Sequence, residues 1–129
     1  MIAFIRDLSH ASARLPLWTL AQERAGAMSD LDLSDVMAIG QAAVDEAQAQ
    51  AEAVADPAAR EKLLDRANVM SYNLSAALAD CWPDDARPRH RVHLEAGLSA
   101  AESCLRWRRE LRKGPRPFSI AWWAKGIHL

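Results

Sequence analysis

Apolar side chains recur along most of this chain at spacings of three and four, the signature of helices with one buried face. The strongest such run, 57–82, places Leu63, Ala67, Met70, Leu74, Leu78 and Cys81 on one stripe. The run before it, 34–55, aligns Val36, Ile39, Ala43, Ala47, Ala51 and Val54, with Gln41, Asp45, Gln48 and Glu52 on the opposite face. Small residues on that stripe let a neighbouring helix approach closely. Between the two runs stands Asp56-Pro57, a capping residue followed by a first-turn proline, so the pair is expected to be an antiparallel hairpin with almost no loop. The acidic Asp30 to Asp35 segment opens the first of them, because free N–H groups and the helix dipole favour oxygen acceptors there.

The same reading extends to both ends. Ile2, Ile5 and Leu8 mark a short helix over 2–13, and Pro16 opens a second through Trp18 and Leu20 to Gly26. Trp82-Pro83 stops the central helix, since proline and the residue before it resist helical continuation. Pro88 opens a basic helix to Lys113 with Leu94, Leu98, Ala101, Leu105 and Leu111 inward, and Gly114-Pro115 ends it. Pro117 starts the final helix, with Phe118, Ala121, Trp122, the stem of Lys125 and Leu129 as its buried positions. The fold class expected is all-α, five or six helices in antiparallel hairpins forming one domain over 1–129, acidic over 1–56 and basic and repeat-like over 57–129.

Composition agrees with helices: 26 alanines stand against 11 β-branched residues, and no sheet is expected. Charge adds an asymmetry. Residues 1–86 hold 6 Lys+Arg against 14 Asp+Glu, net −8, whereas residues 87–129 hold 10 against 3, net +7. Either the two parts attract each other within one molecule or the basic part meets an acidic partner. The opening M-I-A-F-I-R-D-L is charged too early for a signal peptide, and no stretch is long enough for a membrane span. A reducing, cytoplasmic setting is expected. Cys81 and Cys104 form no C-x-x-C pattern and are read as small core residues.

Antiparallel alanine-rich pairs invite a search for repeats. In the last helix, Trp122, Gly126 and Leu129 fall at the spacing of Trp, Gly and Tyr in the first helix of a tetratricopeptide repeat, with Lys125 where that motif has leucine. The corresponding positions in the central helix are Ser71, Leu74, Ser75 and Leu78, of which the leucine at the motif's Leu position matches. The chain over 57–129 thus resembles a degenerate tetratricopeptide-repeat protein; its two candidate first helices lie 51 residues apart, against a family period of about 34. The resemblance implies a right-handed helical stack, a protein-interaction scaffold and no catalytic residues.

Three chemistries fit residues of the chain in different degrees. The cluster Arg106, Trp107, Arg109, Arg112 and Lys113 offers guanidinium forks that fit phosphate oxygens and a ring that stacks on a base, so nucleic-acid or phosphoanion binding is the alternative function. Glu102 and Glu110 flank Arg106, and a pI of 6.4 is low for a nucleic-acid module, which favours a solvated or internally docked basic face. His90 and His93 lie three apart, as a metal pair would, but Arg87, Arg89 and Arg91 crowd that turn and no third ligand is indicated. No G-x-S-x-G, glycine-rich phosphate loop or E-x-x-H pair occurs, so neither enzyme activity nor a cofactor is expected. The preferred function is a protein-interaction module that self-associates through Trp107, Trp123, Ile127 and Leu129, because the last helix carries more aromatic surface than it can hide alone.

Overall fold

The computed structural model describes residues 31–129, and the expected helices at 2–13 and 16–26 lie outside them. The described residues form four helices and no strand: α1 (Leu33–Ala53), α2 (Pro57–Leu78), α3 (Arg91–Glu110) and α4 (Pro115–Gly126). Each packs antiparallel on the next. Gly40 of α1 meets Leu74 of α2, Asn68 of α2 meets Arg108 of α3, and the start and end of α3 lie against the end and start of α4.

The α1–α2 hairpin follows its expected caps. Asp32 Oδ1 accepts from Ser34 N at 2.8 Å, and Asp56 Oδ2 accepts from Ala59 N at 3.1 Å, each satisfying an N–H the helix leaves free. Val36, Ile39, Ala43, Ala47 and Ala51 are all buried, as are Ala67, Met70, Leu74 and Leu78 across from them. A Cβ on Gly40 would lie 2.7 Å from Leu74 Cδ1, so the absence of a side chain there is what lets the two helices close. Ser71 and Ser75, on the face of α2 that also carries Leu74 and Leu78, are fully buried.

The end of α2 departs from expectation. The helix stops at Leu78 rather than near Trp82, and Cys81, expected in the core, is exposed. Proline at 83 disfavours helical backbone at Trp82, and the chain has already turned extended at Ala79. Trp82 then folds back so that its indole Nε1–H donates at 2.7 Å to the carbonyl of Ala76, a last-turn acceptor that also takes the Ala79 N–H at 3.2 Å.

A carboxylate clasp organises the connection to α3. Asp85 pairs with Arg87 at 2.7 Å and with Arg89 at 2.8 Å. Arg87 also donates to the carbonyl of Leu31 at 2.7 Å, and Arg89 to that of Ala77 at 3.2 Å, tying the loop to the start of α1 and the end of α2. The two guanidiniums, Arg87 foremost, hold the Asp85 carboxyl far below the ordinary carboxylate range.

At its other end α3 closes with a Schellman motif. Arg112 N–H donates to the Arg109 carbonyl at 3.0 Å and Lys113 N–H to that of Arg108 at 2.9 Å. The left-handed position this motif requires falls on Arg112, φ 55°, two residues before the glycine that marks the break in the sequence. A smaller apolar cluster of Cys104, Leu105 and Ala121, with Tyr72 and Phe118 against it, seats α4 on α2 and α3.

Candidate functional site

Arg108 is the residue that fixes α4. It sits on the inward stripe with Ala101, Leu105 and Cys104 and is only 7% exposed. Its Nε–H donates to Asn68 Oδ1 at 2.9 Å, one terminal nitrogen donates to the Pro117 carbonyl in the first turn of α4, and its carbon lies 5.3 Å from the Tyr72 ring centre. Asn68 in turn donates to Asp65 Oδ1 at 3.1 Å, and Lys113 meets the same oxygen at 3.0 Å. Cys104 donates its S–H to Asn68 at 3.2 Å, and burial pushes that thiol up to about 11. A polar chain thus runs through three helices under the beginning of α4.

The other end is seated by His128. Its Nε2–H donates to the Ser75 carbonyl at 2.9 Å, and its ring lies over Gly97, where a Cβ would come within 2.2 Å of it. This close approach is at Gly97 of α3; at Gly126, the glycine that carries the tetratricopeptide resemblance, an added Cβ meets nothing within 4 Å.

Held at both ends, α4 turns its alanines inward and its large rings outward. Ala121 and Ala124 are fully buried, whereas Trp122 is 51% exposed, Trp123 45%, Ile120 37% and Leu129 87%. Trp122 and Leu129, expected inward, therefore face out. Between the Arg108 and His128 anchors the positions turned to α2 and α3 are Ala121 and Ala124, with Phe118 partly buried beside Ala121, and small residues there let the helix approach closely. Lys125 is half-buried as expected, 5.4 Å from the Trp122 ring centre and 3.7 Å from Glu102. Ile127 is half-buried.

Trp82 joins this surface from the α2–α3 connection. Its ring centre lies 6.4 Å from that of Trp123 with the planes at 64°, an edge-to-face pair in which both partners are exposed, Trp82 at 44%. Four of the seven large exposed apolar residues of the described chain belong to α4 and its end, and Trp82 extends the patch. Sequence reasoning missed Trp82, which spacing alone presents as a helix terminator.

The remaining site residues separate. Trp107, expected at a partner contact, is 2% exposed within the main core and out of a partner's reach. Among the four cations of the alternative site, Arg106 lies 5.0 Å from the Trp107 ring centre and Lys113 is committed to Asp65, while Arg109 and Arg112 stand exposed. The two histidines serve the start of α3. His93 Nδ1 accepts from His90 N–H at 3.1 Å, which puts the proton of the neutral ring on Nε2, 3.1 Å from Ser34 Oγ. Both ring nitrogens of His93 are thereby engaged, and the described residues contain no group of three His, Cys, Asp or Glu placed to hold a metal. None of the described helices is long and apolar enough to cross a membrane.

Comparison with protein-family models, with curated proteins and with solved structures finds no match to this chain. Its own geometry defines the class: a chain whose described residues are all-helical and whose fourth described helix displays an aromatic outer face.

Proposed function

We propose that this chain is a non-enzymatic protein-interaction module whose contact surface is the outer face of α4. The observation that carries this reading is the exposed Trp82–Trp123 pair, continued one turn back on the same face by Ile120. Rings of this size left in water cost free energy that a covering partner recovers, about 25 cal/mol per Å2 of apolar surface before association costs. Contiguous patches of that kind mark contact sites far more often than scattered apolar residues do. In this reading the four described helices and those expected before them stack as antiparallel hairpins in a right-handed, tetratricopeptide-like array. The outer side of α4 is then the place where a further helix would pack. Two free cysteines fit a reducing, cytoplasmic setting.

Self-association is one form such contact takes, and sedimentation of the intact chain reads it directly. The wider test compares proteins retained by the intact chain with those retained by a Trp123→Asp variant of unchanged helicity. The module reading expects specific species, its own copy included, to be lost with the variant. Identical retention by both, with only monomer in sedimentation, contradicts it.

A further inference from the structure

Resting on the interaction reading above, the distribution of charge around α4 names the partner. We infer that the α4 face binds a short acidic segment of another protein, one that carries carboxylates at one end and large aliphatic or aromatic side chains at the other.

The argument begins with what the patch lacks. From Leu111 to Leu129 the chain contains no aspartate or glutamate, while Arg112, Lys113, Arg116 and Lys125 are all cationic, with Arg109 one turn before. Lys113 and Lys125 are partly neutralised, by Asp65 at 3.0 Å and Glu102 at 3.7 Å. Arg109, Arg112 and Arg116 are exposed. They gather where α3 ends and α4 begins, so the apolar strip of Ile120 and Trp123 starts from a basic edge. Apolar side chains supply affinity at such an edge, and opposite charge supplies orientation and encounter rate.

That pattern argues against the two other occupants. A parallel pairing of α4 with α4 of a second copy sets the Arg116 edges of both copies side by side on one seam, and α4 itself carries no carboxylate to separate them. The second copy's acidic helix is no better suited. α1 carries Asp35, Asp45, Glu46 and Glu52 with no lysine or arginine, but none of the large exposed apolar residues lies on it, so it brings nothing to cover the tryptophans. A lipid bilayer with anionic headgroups meets like charge at the other end of the strip, where Asp80 and Asp84 are exposed on either side of Trp82. A peptide escapes this conflict because it places its carboxylates over the first turn of α4 and its apolar side chains over Trp123 and Trp82. The 12 residues of α4 span about 18 Å. Five or six extended residues, at roughly 3.3 Å each, cover that distance.

The test is selection of a random peptide library displayed on filamentous phage against the immobilised full chain, with the Trp123→Ala chain for counter-selection. Enriched peptides should combine Asp or Glu with Leu, Ile, Phe or Trp. A synthetic copy of one should lose about tenfold or more in affinity on Trp123→Ala. Arg112→Glu with Arg116→Glu should weaken it comparably and flatten its salt dependence. Because both arginines are exposed, the double variant also keeps the test valid if Trp123→Ala disturbs packing. Enrichment of basic or uncharged peptides overturns the inference, as does enrichment that survives both sets of substitutions. So does the absence of peptide enrichment alongside Trp123-dependent binding to phosphatidylserine vesicles. A Trp123-dependent dimer without acidic-peptide binding overturns the partner assignment and leaves the interaction reading standing. Absence of every Trp123-dependent association removes both.

Discussion

Replacing Arg108 with methionine is the sharpest probe of how α4 is held. Methionine keeps the unbranched stem and removes the guanidinium, so the packing against Tyr72 and Leu105 is largely retained while the polar links to Asn68 and Pro117 are lost. Hydrogen bonds to a charged group contribute about 1.5–3 kcal/mol each, which sets the gross loss near 3–6 kcal/mol. Against this stands the cost of holding a cation at a site 7% exposed, with no carboxylate bonded to it directly. Burial of an ion is expensive, and replacement by an apolar residue sometimes stabilises a protein. Here the replacement also leaves the buried Asn68 oxygen with only the weak S–H donor of Cys104, a loss of up to about 1–3 kcal/mol for an under-satisfied buried group. The expected net effect is a destabilisation of roughly 2–3 kcal/mol, a fall in Tm of about 10 °C for a domain of this size. Thermal unfolding by circular dichroism measures the total. Trypsin cleavage after Arg112 or Lys113 measures the local part and should accelerate more than global unfolding explains. In a cycle with Asn68→Ala, the coupling should be at least about 1 kcal/mol. A variant as stable as the parent, cleaved no faster, would refute the reasoning and leave the placement of α4 to its alanines alone.

Arg112→Gly should raise stability by about 1 kcal/mol, because the left-handed backbone at that position is strained for any residue with a Cβ; an unchanged or lower Tm argues against the Schellman geometry. Cys81 is exposed and Cys104 buried with its thiol pushed up to about 11, so a thiol reagent at neutral pH should modify one of the two cysteines in the folded chain, and none after Cys81→Ser. The depressed Asp85 carboxyl stabilises the fold fully above its unfolded value of about 3.9, and that contribution declines as pH falls below it. Asp85→Asn should therefore lower stability at neutral pH and flatten the acid limb of the stability profile, with equal slopes as the contrary result.

The α1–α2 hairpin was legible because everything that defines it is local: a period, two capping aspartates and one proline. α4 was legible as a helix but not in its orientation. Apolar area ranks tryptophan above alanine for the inner face, yet which residues lie inward depends on how near the helix is drawn. That distance depends on Arg108 and His128 reaching Pro117, Asn68 and Ser75, contacts that no spacing along the chain encodes. Arg108 did leave a trace, since it continues the stripe of Ala101 and Leu105, but it stands among arginines that are exposed. Trp82 left none, for its partner Trp123 is 41 residues away and brought near only by the unwinding at Ala79.

Fluorine NMR of the chain labelled with 5-fluorotryptophan, each signal assigned by single substitution, reads the water contact of every ring through the shift between light and heavy water. In dilute solution Trp82, Trp122 and Trp123 should each show a clear isotope shift and Trp107 almost none. If the rings of Trp82 and Trp123 prove as sheltered as Trp107, no surface is left for a partner to cover, and the account is contradicted at its root.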